Sequence, residues 1–99
     1  MTAYNVVRFR VKPGREEEFI NAHRKANIQL RGFRHGTMIS TGDRGYCFIG
    51  EWHRLEDILA AEDKLVAILD TFRDTLEDLG GGLGVTDPVA GKTVLEIET

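Results

Sequence analysis

The stretch of sequence that decides the fold is Gly45-Tyr46-Cys47-Phe48-Ile49-Gly50-Glu51-Trp52. It alternates like one β-strand, in which successive side chains point to opposite faces. Cys47, Ile49 and Glu51 share one face. The other face carries three aromatic residues and a glycine, namely Tyr46, Phe48, Gly50 and Trp52. That face is either part of a core or the wall of a ligand pocket, and both interpretations stay open at this point.

Composition places the chain among ordinary globular proteins. Its 99 residues predict one domain, residues 1–99, and 41% of them are hydrophobic while 29% are charged. A net charge of −3 gives no electrostatic reason to expect a nucleic acid or an anionic membrane as partner. The sequence has no apolar run near the roughly 18 residues that span a bilayer, and its polar start is unlike a signal peptide. A single cysteine, Cys47, suits the reducing cytoplasm.

Three elements are predicted around the opening stretch. Asn5 to Val11 alternates as a strand, with Asn5, Val7 and Phe9 on one face. Arg15 to about Asn27 has the apolar spacing of a helix, with a stripe formed by Phe19, Ala22, His23 and Ala26. Gly32 to Thr41 predicts a strand that forms a hairpin with the opening stretch. The residues expected on its helix-facing side are Phe33, His35, Thr37 and Ile39.

The second half of the chain predicts one long helix and one strand. The helix runs from Leu55 to Leu79, with a bend near residues 62–64, and three glycines at residues 80–82 end it. The last strand is predicted over Lys92 to Glu98, with Leu95 and Ile97 turned toward the helices.

The resulting order predicts an α+β protein with the ferredoxin-like βαββαβ fold. Right-handed crossovers place two helices on one face of a four-stranded antiparallel sheet, with the first and third strands central. The opposite face mixes apolar groups with charges that include Arg8, Arg10, Ile49 and Glu51. Because an exposed face of that kind would be adhesive, we expect it to pair with a second copy as a homodimer.

Four segments resemble the antibiotic biosynthesis monooxygenase (ABM) family. They are Val11-Lys12-Pro13-Gly14-Arg15-Glu16-Glu17-Glu18-Phe19, then Arg31-Gly32-Phe33, then Tyr46-Cys47-Phe48-Ile49-Gly50-Glu51-Trp52, and Leu55-Glu56-Asp57-Ile58. The resemblance implies a dimeric α+β barrel with a pocket between sheet and helices in each subunit. It also implies a range of activities: cofactor-independent oxygenation of polycyclic phenols, haem degradation, isomerisation, or none that is assigned.

Haem degradation is the less favoured of these activities. The haem degraders resembled here use an Asn on strand one, a Trp at the end of strand three and a His on the next helix. Trp52 matches the Trp, but Val7 falls at the Asn position, with Asn5 one pleat earlier. The ligand His would fall near Glu62, and the predicted second helix contains no histidine. Haem requires an axial ligand, so we do not expect haem. We expect no other cofactor and no metal, because a His23–His35 pair would lack the third and fourth ligands of a zinc site.

The leading hypothesis is a small-molecule-binding protein that could oxygenate an aromatic or phenolic substrate. By the resemblance, Trp52, Asn5 and Tyr46 would position the substrate. His35 or His23 would accept a proton, because histidine titrates near neutral pH. Residues expected to line the pocket are Tyr46, Phe48, Gly50, Phe33 and Phe72. The alternative is a non-catalytic dimeric protein with a binding or stress-related role, in which Trp52 and these aromatic residues serve only as core residues. A cavity beside Trp52 would distinguish the two hypotheses.

Overall fold

The computed structural model describes residues 2–26 and 28–98. Its elements follow the predicted βαββαβ order, with the second helical segment divided. The strands and helices are β1 (Ala3–Arg10), α1 (Glu16–Lys25), β2 (Phe33–Gly42), β3 (Gly45–Trp52), α2 (Leu55–Ala60), α3 (Glu62–Asp70), a 3₁₀ turn (Arg73–Thr75) and β4 (Asp87–Lys92). In the described part of the chain, no helix is both long and apolar enough to cross a membrane.

The four strands form one antiparallel sheet in the order β2-β3-β1-β4, so the two predicted central strands are confirmed. Strand β1 lies against the opening stretch, with Ala3 opposite Trp52 and Arg10 opposite Gly45. This register places Asn5, Phe9 and Phe48 on the helix-facing side, as the alternation predicted.

The core lies between this face and the helices. One cluster contains Phe9, Val11, Phe19, Phe72 and Leu76. A second cluster contains Ala3, Trp52, Ile58 and Ala61. Phe19 is fully buried, and its ring packs against Phe9 with centroids 5.3 Å apart in an edge-to-face arrangement. The apolar stripe predicted for the first helix is therefore used as a core contact, although Asn27, its predicted end, lies outside the described residues.

Strand β2 corrects the prediction for His35. A register shift between Phe33 and His35 inserts an extra residue, so Phe33 pairs with Trp52 but His35 pairs with Glu51. A bulge of this kind reverses which face the following residues occupy. Phe33 keeps its helix-facing position, whereas His35, Thr37 and Ile39 lie on the opposite, outer face of the sheet. His35 is exposed there, with Thr37 Oγ1 3.3 Å from its Nε2 atom.

The last strand also differs from its prediction. Strand β4 occupies Asp87–Lys92, which was expected to be loop because it contains Pro88 and Gly91. Proline is tolerated because β4 is an edge strand. Residues 93–98 continue past it without strand pairing, and three apolar side chains there are largely exposed, namely Val94, Leu95 and Ile97 at 87%, 73% and 87%. The prediction that Leu95 and Ile97 face the helices is wrong.

The long second helix is shorter than predicted and interrupted. Ala61 separates α2 from α3, next to the bend expected near residues 62–64. Helical structure ends with the 3₁₀ turn, and Leu76 then forms an isolated bridge with Val11. The three glycines at residues 80–82 therefore lie in a loop and do not cap a helix. A cavity opens beside the break at Ala61, where Leu59 and Glu62 contribute to its lining.

Candidate functional site

A buried hydrogen bond joins the two central strands at the site. Trp52 Nε1 donates to Asn5 Oδ1 at 2.8 Å, and both side chains are buried. Asn5 lies opposite Gly50 in the sheet, so Trp52 is its diagonal neighbour on the same face. A Cβ atom at position 50 would lie 2.2 Å from Asn5 Oδ1. The space beside Gly50 is therefore filled by the Asn5 amide, which the glycine allows to reach Trp52.

A cavity of about 390 Å³ lies between the helix-facing side of the sheet and the helices. This volume is within the range of small-molecule sites. Its lining comes from three strands (β1, β3 and β4), all three α-helices and three connecting segments, and it is mostly apolar. The lining residues are Asn5, Val7, Phe9, His23, Ile28, Phe48, Ile58, Leu59, Glu62, Leu65, Val66, Ile68, Leu69, Phe72, Thr86, Pro88, Val89 and Ala90.

Four polar side chains interrupt this lining: Asn5, His23, Glu62 and Thr86. Because Asn5 Oδ1 already accepts the Trp52 hydrogen bond, its amide NH₂ is the group left to donate to a ligand. Glu62 is exposed and lies at the first position of α3, beside the break at Ala61. A mostly apolar cavity with a few placed polar groups is the usual form of a ligand site.

His23 is the titratable group inside this cavity. Its Nδ1 atom lies 2.9 Å from the carbonyl oxygen of Phe19, which can only accept, so Nδ1 carries the proton. The Nε2 atom of the neutral ring therefore has a free lone pair. The ring lies 4.3 Å from the Phe72 centroid and 4.6 Å from that of Phe19. Burial lowers the pKa of His23, and the bond to the Phe19 carbonyl only partly opposes this.

The lowered pKa predicts a specific pH dependence of stability. The unfolded chain binds a proton at His23 near its ordinary pKa of about 6.5, whereas the folded protein does so only at lower pH. The contribution of neutral His23 to the free energy of unfolding is therefore complete above the unfolded-chain pKa of about 6.5. This contribution is lost as the pH falls below that pKa. We expect the free energy of unfolding, measured by urea titration, to fall between pH of about 7.5 and about 5.5, and less steeply in His23→Gln.

The matched control for this measurement is His35→Gln, which removes an exposed histidine on the outer face. It should keep the wild-type slope of stability against pH. If His23→Gln and the wild type show the same slope, burial of His23 is not linked to folding.

The structure brings four of the predicted site residues together at the cavity: Asn5, His23, Phe48 and Phe72. Trp52 contributes through its bond to Asn5 and packs in the second core cluster. Two other predicted aromatics lie in core contacts: Tyr46 packs on Phe19 with centroids 5.1 Å apart, and Phe33 packs on Trp52 at 5.2 Å. His35 lies on the opposite face of the sheet, so it cannot act in this cavity.

Several lining residues were not predicted from the sequence. Thr86 and the helix-facing part of β4 were assigned to a loop, and Ile28 follows the end of α1. Glu62 was considered only as the position of a missing haem ligand. A signal for it existed, because it shares a helical spacing with Leu59 and Val66, and all three line the cavity. Within the described residues, no group of three or more His, Cys, Asp or Glu side chains has the arrangement of a metal site.

Comparison with known proteins gives matches by structure. No protein-family model matches the chain. No curated protein matches it either. A structure of SnoaB, a cofactor-independent oxygenase from Streptomyces nogalater, superposes with a TM-score of 0.76 at 15% identity over 99% of this chain and 98% of that chain.

Two further solved structures are similar. A Streptomyces coelicolor monooxygenase, in complex with the ligand nanaomycin D, has a TM-score of 0.72 at 14% identity over 98% of this chain and 91% of that chain. A Bordetella bronchiseptica protein, described as a candidate antibiotic biosynthesis monooxygenase, has a TM-score of 0.76 at 13% identity over 95% and 98%. The chain thus has the ferredoxin-like α+β fold of structures named antibiotic biosynthesis monooxygenases, as its sequence resemblance implied.

Proposed function

We propose that this protein binds a small, largely apolar aromatic molecule in the cavity beside Asn5 and His23. We further propose that it oxygenates a phenolic ligand of this kind without a cofactor. The observation that carries the proposal is the location of His23, a neutral base with a free Nε2 lone pair, in the wall of an aromatic-lined cavity. The likeness to SnoaB, named a cofactor-independent oxygenase, supports the reaction class.

The proposed chemistry needs only the substrate and molecular oxygen. His23 Nε2 accepts the proton of a phenol, and the electron-rich phenolate reduces O₂. One oxygen atom forms a new C=O bond on the ring, and the other leaves as water with two hydrogens from the substrate. For 1-naphthol the balanced reaction is 1-naphthol plus O₂ giving 1,4-naphthoquinone plus water. The Asn5 amide donates to the phenolate oxygen.

Binding can be measured without knowing the natural ligand. Trp52 is the sole tryptophan, and its Nε1 bond ends on Asn5, which lines the cavity. A ligand that contacts Asn5 should therefore change Trp52 emission when 1-naphthol is titrated, after a blank titration has corrected for the absorbance and emission of 1-naphthol itself. Leu69→Phe fills part of the cavity and should weaken binding by at least about tenfold, whereas Leu83→Phe, in an exposed loop, should not. Equal affinity in both variants would contradict binding in this cavity.

Turnover is tested separately with an oxygen electrode. We expect 1-naphthol to consume one O₂ for each quinone formed. His23→Phe should lower kcat by at least about 100-fold because the general base is lost while an aromatic ring is retained. Binding without oxygen uptake in the wild type would favour the alternative of a non-catalytic protein.

We also propose that the protein is a homodimer that pairs through the outer face of the sheet. Exposed apolar side chains on this face support the proposal, including Tyr4 at 36% and Ile39 at 42%. The exposed residues Val94, Leu95 and Ile97, which follow the edge strand, add apolar surface that a second copy could cover. Arg8 forms a salt bridge with Asp87 on this face. Part of the charge of the outer face is therefore already balanced within one chain.

Light scattering should give twice the monomer mass at micromolar concentration. Ile39→Glu, which places a charge on the outer face, should weaken association by at least about tenfold. Leu83→Glu is the matched control, because Leu83 is similarly exposed but lies in a loop away from the sheet. A monomeric wild type would contradict the dimer.

A further inference from the structure

The charge of the cavity wall limits which ligands it can accept. In the described part of the chain, the lining contains no lysine or arginine, and its carboxylate is Glu62. His23 is the other titratable group in the lining, and burial keeps its ring neutral near pH 7. A ligand inside this cavity therefore meets either neutral groups or a negative charge.

The position of Glu62 shows where that negative charge acts. Leu59, Glu62 and Val66 all line the cavity and are all exposed, with Leu59 at 61% and Val66 at 46%. They therefore form a mouth that is open to solvent, which we call the 59–62–66 rim. Among the described residues, no salt bridge neutralises Glu62. Its carboxylate faces whatever enters through the rim.

Helix dipoles do not offset this charge. Helix α2 ends and α3 begins on either side of Ala61, so the partial negative end of one lies beside the partial positive end of the other. The first turn of α3 already contains two acidic side chains, Glu62 and Asp63. An anionic ligand would thus lose its hydration in an apolar cavity without gaining a cationic partner there.

We infer that the cavity selects apolar ligands by charge, taking an amine-bearing or neutral aromatic molecule and rejecting a carboxylate of the same shape, with Glu62 as the group that attracts the amine. This inference deepens the proposed binding function and depends on it. Because Glu62 is exposed, its attraction for an amine is screened and amounts to about two- to fivefold in affinity. Rejection of a carboxylate is the larger effect, at least about tenfold, because it arises from desolvation.

Three probes of one shape test this inference: 2-naphthylmethanol, 2-naphthylmethylamine and 2-naphthoate, titrated by calorimetry near pH 7 at low salt. The carboxylate should bind at least about tenfold more weakly than the alcohol. The amine should bind about two- to fivefold more tightly than the alcohol. In Glu62→Gln the preference for the amine over the alcohol should disappear. Asp63→Asn, the neighbouring carboxylate outside the lining, is the matched control and should keep that preference.

The outcomes separate the two proposals. Equal affinity for the three probes, tightest binding of the carboxylate, or an amine preference that survives Glu62→Gln would overturn charge selection while leaving ligand binding intact. If none of these probes binds and 1-naphthol leaves Trp52 emission unchanged, the proposed function fails and the inference fails with it.

Discussion

Replacing Gly50 by alanine should lower the free energy of unfolding by about 2–4 kcal/mol. The new Cβ atom would lie 2.2 Å from Asn5 Oδ1 and 3.1 Å from Trp52 Nε1, in contact with both atoms of a buried hydrogen bond. Overpacking in a core costs about 1–3 kcal/mol, and a buried polar group left without its partner costs a similar amount. Thermal unfolding should therefore shift downward by about 4–8 °C for each kcal/mol lost.

Gly91→Ala is the matched control for Gly50→Ala. Gly91 also lies within a strand, but nothing lies within 4 Å of a Cβ atom at that position. Its replacement should change stability by no more than about 0.5 kcal/mol. Similar losses in both variants would mean that the contact with Asn5 and Trp52 is not what requires glycine at position 50.

The Gly50→Ala variant should also lose ligand affinity. Asn5 must move if Trp52 stays in place, and its amide is a proposed donor to the ligand. We expect 1-naphthol binding to weaken by at least about fivefold, the effect of one lost hydrogen bond. Calorimetry measures this affinity directly, and it should remain at the wild-type value in Gly91→Ala.

The second large effect is expected for Gly32→Ala, at about 2–4 kcal/mol of destabilisation. Gly32 has a φ of +83°, a left-handed conformation that costs other residues about 1–2 kcal/mol. A Cβ atom there would also lie 2.2 Å from Asp57 Oδ2 and 2.7 Å from Asp57 Cβ. Because the Asp57 Cβ atom is fixed to helix α2, rotating the carboxylate cannot relieve the contact.

Gly14→Ala separates the two contributions at Gly32. Gly14 has nearly the same φ, +80°, but nothing lies within 4 Å of a Cβ atom at that position. It should lose only the conformational part, about 1–2 kcal/mol. Urea unfolding of the two variants measures the difference, and equal losses would show that the approach of Asp57 to Gly32 has no energetic consequence.

The strands with uninterrupted alternation were predicted well. In β1 and β3 the period of two is continuous, so Asn5, Phe9, Phe48 and Trp52 are on the expected face. Strand β2 was predicted correctly only as far as Phe33, because the bulge before His35 reverses the faces of residues 35–40. A bulge is set by pairing with the neighbouring strand, and nothing in the local pattern of residues 33–41 announces it.

Strand β4 is a second case in which local alternation did not predict the pairing of a strand. Residues 92–98 alternate better than residues 87–92, yet the latter pair with β1. The choice depends on which segment reaches the free edge of β1 after the loop that follows the 3₁₀ turn, and that is a property of the whole chain. Local propensity is overridden when a neighbouring strand supplies the hydrogen bonds.

The candidate site was recognised in part. Asn5, His23, Phe48 and Phe72 were named from the sequence, and the structure places all four at one cavity. The sequence left open whether the space beside Trp52 and Gly50 is empty, and in the structure the Asn5 amide fills the space at Gly50. The lining of the cavity contains neither Trp52 nor Gly50. Glu62 was missed as a lining residue of the cavity, because its place depends on the break at Ala61 between two helices.

The sequence by itself determined the order of elements, the helix-facing side of the two central strands and the family that the chain resembles. The first two follow from local periodicity, which depends only on neighbours along the chain. The resemblance rests on four short segments of the sequence. The tertiary structure decided that His35 lies away from the cavity, that the Asn5 amide fills the space beside Gly50, and that Glu62 lies at the rim. Each of these depends on contacts between residues far apart in sequence. Such packing does not produce a periodic pattern of residues in the sequence.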